Sequence, residues 1–175
     1  MRSSLIVLAF AAFGLAACDP AGTAGSGAGV YKIRAGDTQR VQQRMLEAVN
    51  SMRAASGVQP LQLNSQLTSA ARAHAREMSR QRRAWPFGAN GSTPYDRVRS
   101  AGYQGNLLAE VYSQTFETEL ETLAAWVQDG AWGAEILDPE ARDMGFAWQQ
   151  DSNGQIWWVI ALGDGRFATT TTAAL

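Results

Sequence analysis

The stretch Gln155-Ile156-Trp157-Trp158-Val159-Ile160-Ala161-Leu162 constrains the fold more than any other part of the chain. It is apolar after its first residue. Turn formers bound it on both sides, Asp151-Ser152-Asn153-Gly154 before and Gly163-Asp164-Gly165 after. A short run of β-branched and aromatic residues with no polar face reads as a strand covered on both sides. Residues 143–149, directly upstream of the turn, read as its hairpin partner. The longer periodic segments before them read as helices. A single domain of 175 residues then has helices on both faces of a small antiparallel sheet, an α+β, three-layer α-β-α sandwich.

Four helical segments can be placed. The first runs from a cap at Asp37 to a stop at Gly57, with Val41, Met45, Val49 and Met52 as its apolar stripe and Leu46 alongside. The second starts at Asn64 or Ser65 and reaches Arg82. Leu67, Ala70, Ala71, His74 and Met78 share one of its faces, and Arg72, Arg76, Arg80 and Arg83 share the other. A short third helix carries Thr93 as N-cap, Pro94 at its first position and Asp96 as the reciprocal acid, and it ends at Gly102. The fourth spans 116–129, with Thr115 as N-cap, a stripe of Phe116, Leu120, Leu123, Ala124 and Val127, and a stop at Gly130. Residues 131–137 add a turn or two, closed by Asp138-Pro139.

The N-terminus carries Arg2, an apolar run over 5–15 and the box Leu15-Ala16-Ala17-Cys18. This pattern resembles the signal peptide and lipobox of bacterial lipoproteins, whose cysteine is acylated and becomes the mature N-terminus. The expectation is a signal peptide at 1–17, an acylated Cys18 with a flexible tether at 18–29, a domain at 30–167 and a disordered tail at 168–175. Several acyl chains on Cys18 make a stable anchor. The expected location is the bacterial cell envelope, with the protein membrane-anchored and facing the periplasm or the exterior.

Composition narrows the chemistry. The chain has one Cys and one His, so it forms no internal disulfide and no multi-His or Cys/His zinc site. A net charge of −1 gives no reason to expect nucleic acid. His74 lies on an apolar stripe and is expected to be a buried structural histidine. The arginine row reads first as a solvated face and second as a patch for anionic lipid headgroups. Glu110 is the one carboxylate in Leu107-Leu108-Ala109-Glu110-Val111-Tyr112. A site is therefore expected between Glu110 and the far end of the 116–129 helix. The alternative is that Glu110 only accepts hydrogen bonds from buried backbone amides.

The order of these features resembles the CAP superfamily, or SCP domain: cysteine-rich secretory proteins, antigen 5 and pathogenesis-related proteins, with bacterial members nearest. The residues that carry the likeness are Leu61-Gln62-Leu63-Asn64, the helix around His74, Gly91-Ser92-Thr93-Pro94-Tyr95-Asp96-Arg97, Ala101-Gly102-Tyr103, Glu110, Trp126, Glu135-Ile136-Leu137-Asp138-Pro139, Met144-Gly145-Phe146 and Trp157-Trp158. The resemblance implies an α-β-α sandwich with a cleft, which in many members holds two histidines, one or two acids and a divalent ion. Here Trp85-Pro86-Phe87 stands where the first cleft histidine belongs and Trp132 where the second does. Asp129 matches a second family acid weakly, and His74 aligns with a histidine outside the cleft. The expected cleft is Glu110, Trp132, Trp85, Phe87 and Asp129, with no metal, no cofactor and no catalytic residue assigned. The expected function is a lipid-anchored, non-catalytic protein that binds a lipid, glycan or protein partner at the envelope. A hydrolase using cleft carboxylates and a structural protein with a vestigial cleft are the alternatives.

Overall fold

A computed structural model describes residues 31–165. Cys18, the segment at 1–17, the tether at 18–29 and the tail at 168–175 lie outside the described residues. A 3-10 turn at Ala35–Asp37 leads into α1 (Thr38–Ala55). There follow β1 (Gln62–Leu63), α2 (Ser65–Gln81), α3 (Pro94–Ser100), β2 (Leu107–Thr115), α4 (Glu119–Gln128), α5 (Gly130–Ile136), β3 (Asp143–Gln150) and β4 (Ile156–Gly163).

The sheet order is β1-β3-β4-β2. β4 pairs antiparallel with β3 on one side and with β2 on the other. The Leu107–Thr115 strand follows from the apolar run around Glu110, whereas β1 is too short to announce itself. β1 pairs parallel with β3 through Gln62 and Leu63 alone, so the sheet is mixed rather than antiparallel throughout. Among the described residues, no strand pairs with β3 on this edge beyond Met144. Every residue of β4 is buried. Ile156, Trp158, Ile160 and Leu162 pack with Val41, Met45, Val49 and Trp126, and Trp157, Val159 and Ala161 pack under α2. That alternation is why the strand carries no polar face.

α2 forms as its sequence suggests. The Asn64 side chain accepts from the Gln66 and Leu67 amides, and Arg82 ends the helix in the left-handed region at φ 54°. Leu67, Ala70, Ala71, His74 and Met78 are buried. The helix sits so close to β3 that a Cβ on Gly145 would lie 2.1 Å from the carbonyl carbon of Leu67. The glycine of Met144-Gly145-Phe146 is a matter of clearance.

α1 buries Val41, Met45 and Val49, but the fourth inward position is Arg53 rather than Met52, which is only half-buried. Arg53 is 0% exposed. Its guanidinium donates to the carbonyls of Gln59, Ile136, Asp138 and Ala141 at 2.8–3.2 Å. It thereby supplies donors to carbonyls at and just beyond the end of α5, where the helical ladder has run out.

α4 departs most from its expected form. Thr118, not Thr115, is the N-cap, and it forms a reciprocal capping box with Glu121. The helix starts three residues late, and Phe116 lies outside it. The buried face is Glu119, Thr122, Leu123 and Trp126. Phe116 and Leu120 are 54% and 43% exposed. The largest side chain, Trp126, sets which face turns inward; Leu123 goes in with it, and Phe116 and Leu120 of the same stripe are left outside.

Candidate functional site

Glu110 owes its direction to a bulge. Leu107 pairs with Gly163 and Ala109 with Leu162, so Leu108 is an extra residue in β2. One added residue reverses which face the following side chains take. Leu107 then joins the layer under α2 and α3, Ala109 and Val111 join the opposite layer with α1 and α4, and Tyr112 packs back under α2. Glu110 turns to the α2/α3 side with Tyr112.

There it meets two cationic or ionisable side chains. Arg97 follows the Thr93–Asp96 capping box of α3, and its Nη2 donates to Glu110 Oε2 at 2.5 Å. His74 Nδ1 lies 2.9 Å from the same oxygen, off the hydrogen-bonding direction. The Glu110, His74 and Arg97 side chains are 3%, 0% and 5% exposed. His74 Nε2 donates to the Trp85 carbonyl at 2.9 Å; a carbonyl only accepts, so Nε2 carries a hydrogen. Glu110 Oε1 is buried without a hydrogen-bond partner among the described residues.

Glu110 forms part of the wall of a groove of about 320 Å³ along the outer edge of β2. Pro86 and Tyr95 stand on one side, Tyr112 lies beside Glu110, and Trp132 and Glu135 of α5 stand opposite. Burial, followed by the charge of Glu110, pushes the Tyr112 phenol above its ordinary range. The Trp132 ring packs against Tyr112 and Trp126 at 6.3 and 6.4 Å. Asp129 Oδ1 accepts from the Ala131 and Trp132 amides, so this acid caps α5 and holds Trp132 in place rather than joining Glu110.

Of the expected cleft residues, Glu110 and Trp132 share the groove. Trp85 and Phe87 do not line it. They pack edge-to-face on each other at 5.5 Å, the Trp85 indole donates to Gln81, and Arg83 lies over the Trp85 ring. His74 does not line the groove either, but it stands directly behind Glu110. Sequence reasoning missed Arg97, although the residue sits inside a quoted motif one position after a capping acid. It also left Tyr112 and Glu135 without a role.

The indole N–H groups add a second observation. Trp85, Trp126, Trp157 and Trp158 donate to Gln81, Ser113, Asp151 and Thr115. Among the described residues, the Trp132 and Trp148 indoles have no protein acceptor, and both stand in grooves.

The profile of the cysteine-rich secretory protein family, CAP, matches residues 46–162. "Uncharacterized protein YkwD" of Bacillus subtilis is 24% identical over 116 residues, which is 66% of this chain and 44% of that protein. The chain thus spans less than half the length of that curated relative. Among solved structures, an outer surface protein from Borrelia burgdorferi is 16% identical with a TM-score of 0.67, covering 77% of this chain and 98% of its own. An extracellular protein containing a SCP domain from Bacillus anthracis is 12% identical with a TM-score of 0.66, covering 76% of this chain and 44% of its own. The two structural likenesses show the shared fold. With two thirds of its length matched by the family profile, the chain belongs to the CAP family of cysteine-rich secretory proteins, in a form of bacterial type.

Proposed function

We propose that this chain is a CAP-domain lipoprotein, held at the bacterial envelope through lipid on Cys18, whose groove at Glu110 and Trp132 binds a partner without chemical turnover. The observation that carries the reading is a buried carboxylate oxygen without a partner in the wall of a groove that also presents an indole N–H free of any protein acceptor. Among the described residues, Glu110 Oε1 is buried with no hydrogen-bond partner, and the Trp132 indole N–H has no protein acceptor. A ligand with one donor and one acceptor beside a flat apolar face would answer both. Lipid headgroups, glycans and protein side chains fit that description.

The same geometry argues against hydrolysis. A general base must reach the reacting atoms. His74 is 0% exposed, with Nε2 engaged at Trp85 and Nδ1 against Glu110. Glu110 is pinned by Arg97. The donor set also suits a metal poorly. The groove offers the carboxylates of Glu110 and Glu135 and no imidazole, and a guanidinium already holds Glu110.

Native mass spectrometry of the full chain, released from non-ionic detergent, tests the reading beside Glu110→Gln and Trp132→Ala. The expected result is an added mass on the wild type that both substitutions reduce. A bare mass throughout would favour a structural protein with an idle groove. A metal adduct lost with Glu110→Gln would overturn the donor-set argument.

A further inference from the structure

The opposite edge of the sheet carries a second groove, of different chemistry. β1 stops at Leu63, so the edge of β3 beyond Met144 is open between α1 and α2. A groove of about 380 Å³ lies there, lined by Thr38 and Gln42 of α1, Arg72 and Arg76 of α2, and Trp148 of β3. No carboxylate lines it. Among the described residues, neither arginine has an acid within ion-pair distance. The nearest acid in sequence to Thr38, Asp37, is held by Arg40 at 2.8 Å. The Gln42 amide is occupied by the Phe146 carbonyl. What remains is a set of donors, two guanidinium groups one helical turn apart and the unpartnered Trp148 indole N–H.

We infer that this groove binds a phosphate group. A carboxylate has two oxygens and is matched by one guanidinium fork, whereas a phosphate offers three or four acceptors and suits two forks and a third donor. The Trp148 ring, half-buried against Phe146 and Trp158, supplies a fixed apolar wall for the group that bears the phosphate. The phosphate can belong to a soluble ester or to a phospholipid headgroup, and the experiment separates these sources.

The test uses the full chain in non-ionic micelles, labelled at the tryptophan indoles with nitrogen-15. Trp148→Phe identifies the Trp148 resonance. Glycerol phosphate is titrated in one arm, and phosphatidylglycerol is doped into the micelles in the other. The expected result is a saturable shift of the Trp148 N–H signal, with affinity weakened about tenfold or more by Arg72→Ala/Arg76→Ala. Both arginines are exposed, so circular dichroism of the double variant should be unchanged. Arg99→Ala, which removes one charge from α3, should leave the affinity alone. Saturation in the soluble arm assigns a phosphate ester, and saturation only in the lipid arm assigns a headgroup. A Trp148 signal that stays still in both arms overturns the inference. So does one that moves equally in the double variant or is weakened as much by Arg99→Ala.

Discussion

Glu110 and Glu119 are two buried glutamates with opposite consequences. Their side chains are 3% and 1% exposed, and each pairs with an arginine. Around Glu119, both oxygens are engaged. Arg44 holds Oε1, and the Tyr31 hydroxyl donates to Oε2 at 2.8 Å. The arrangement ties the start of the described chain to α1 and α4 and leaves nothing to offer a ligand. Around Glu110, Arg97 and His74 crowd onto one oxygen and the other has no partner. Burial and an ion pair do not distinguish a staple from a site. Which lone pairs stay open does.

The two glutamate sites differ most in their arginines. Arg97 is 5% exposed and Arg44 43%. Arg97→Ala leaves a buried carboxylate without its charge partner and should cost about 3–5 kcal/mol in urea denaturation. If it costs less than about 1 kcal/mol, on the order of a surface pair, Glu110 is better hydrated than its burial suggests. Glu119→Gln removes the charge that Tyr31 and Arg44 share and should cost about 1–3 kcal/mol by the same measurement. Arg44→Ala should cost about 1 kcal/mol or less, since its head is solvent-screened.

The smallest effect is a pH dependence. Burial, then the hydrogen bond to Glu119, pushes the Tyr31 phenol up to about 12, against roughly 10 in an unfolded chain. A raised folded value favours the neutral form in the fold. Its contribution is complete below about pH 10 and is lost as the pH rises toward about 12. Urea midpoints followed from about pH 9 to about pH 12 should fall less steeply for Tyr31→Phe than for the wild type. Equal slopes would mean that Tyr31 is neither buried nor held by Glu119 in solution.

Local chemistry is legible in the sequence and distant pairing is not. The apolar run of β4, the Asn64 cap, the inward face of α2 and the Thr93–Asp96 box are each decided within a few residues. α4 misleads because two rules compete. A stripe of Phe116, Leu120, Leu123, Ala124 and Val127 suggests one face, whereas the Thr118–Glu121 box moves the start and Trp126 sets the face. The same shift hides Glu119, which reads as a first-turn acid. The partners of Glu110 lie 36 and 13 positions away in the chain, and its direction depends on a bulge that only pairing with β4 reveals. His74 is expected in the core and is there. That it backs Glu110 follows from the meeting of α2 and β2. Trp85 and Phe87 belong to the cleft by their place in the motif, yet they satisfy each other.

The clearance at Gly145 has a consequence for how the two grooves interact. α2 carries His74 toward one groove and Arg72 and Arg76 toward the other, and it is the one helix that serves both. With its backbone seated against β3 at Leu67, it cannot approach the sheet any further when either groove fills. Allosteric coupling requires an element with two arrangements, and close backbone seating raises the cost of a second one for α2. Occupancy of the two edges should therefore be thermodynamically independent, with free energies that add.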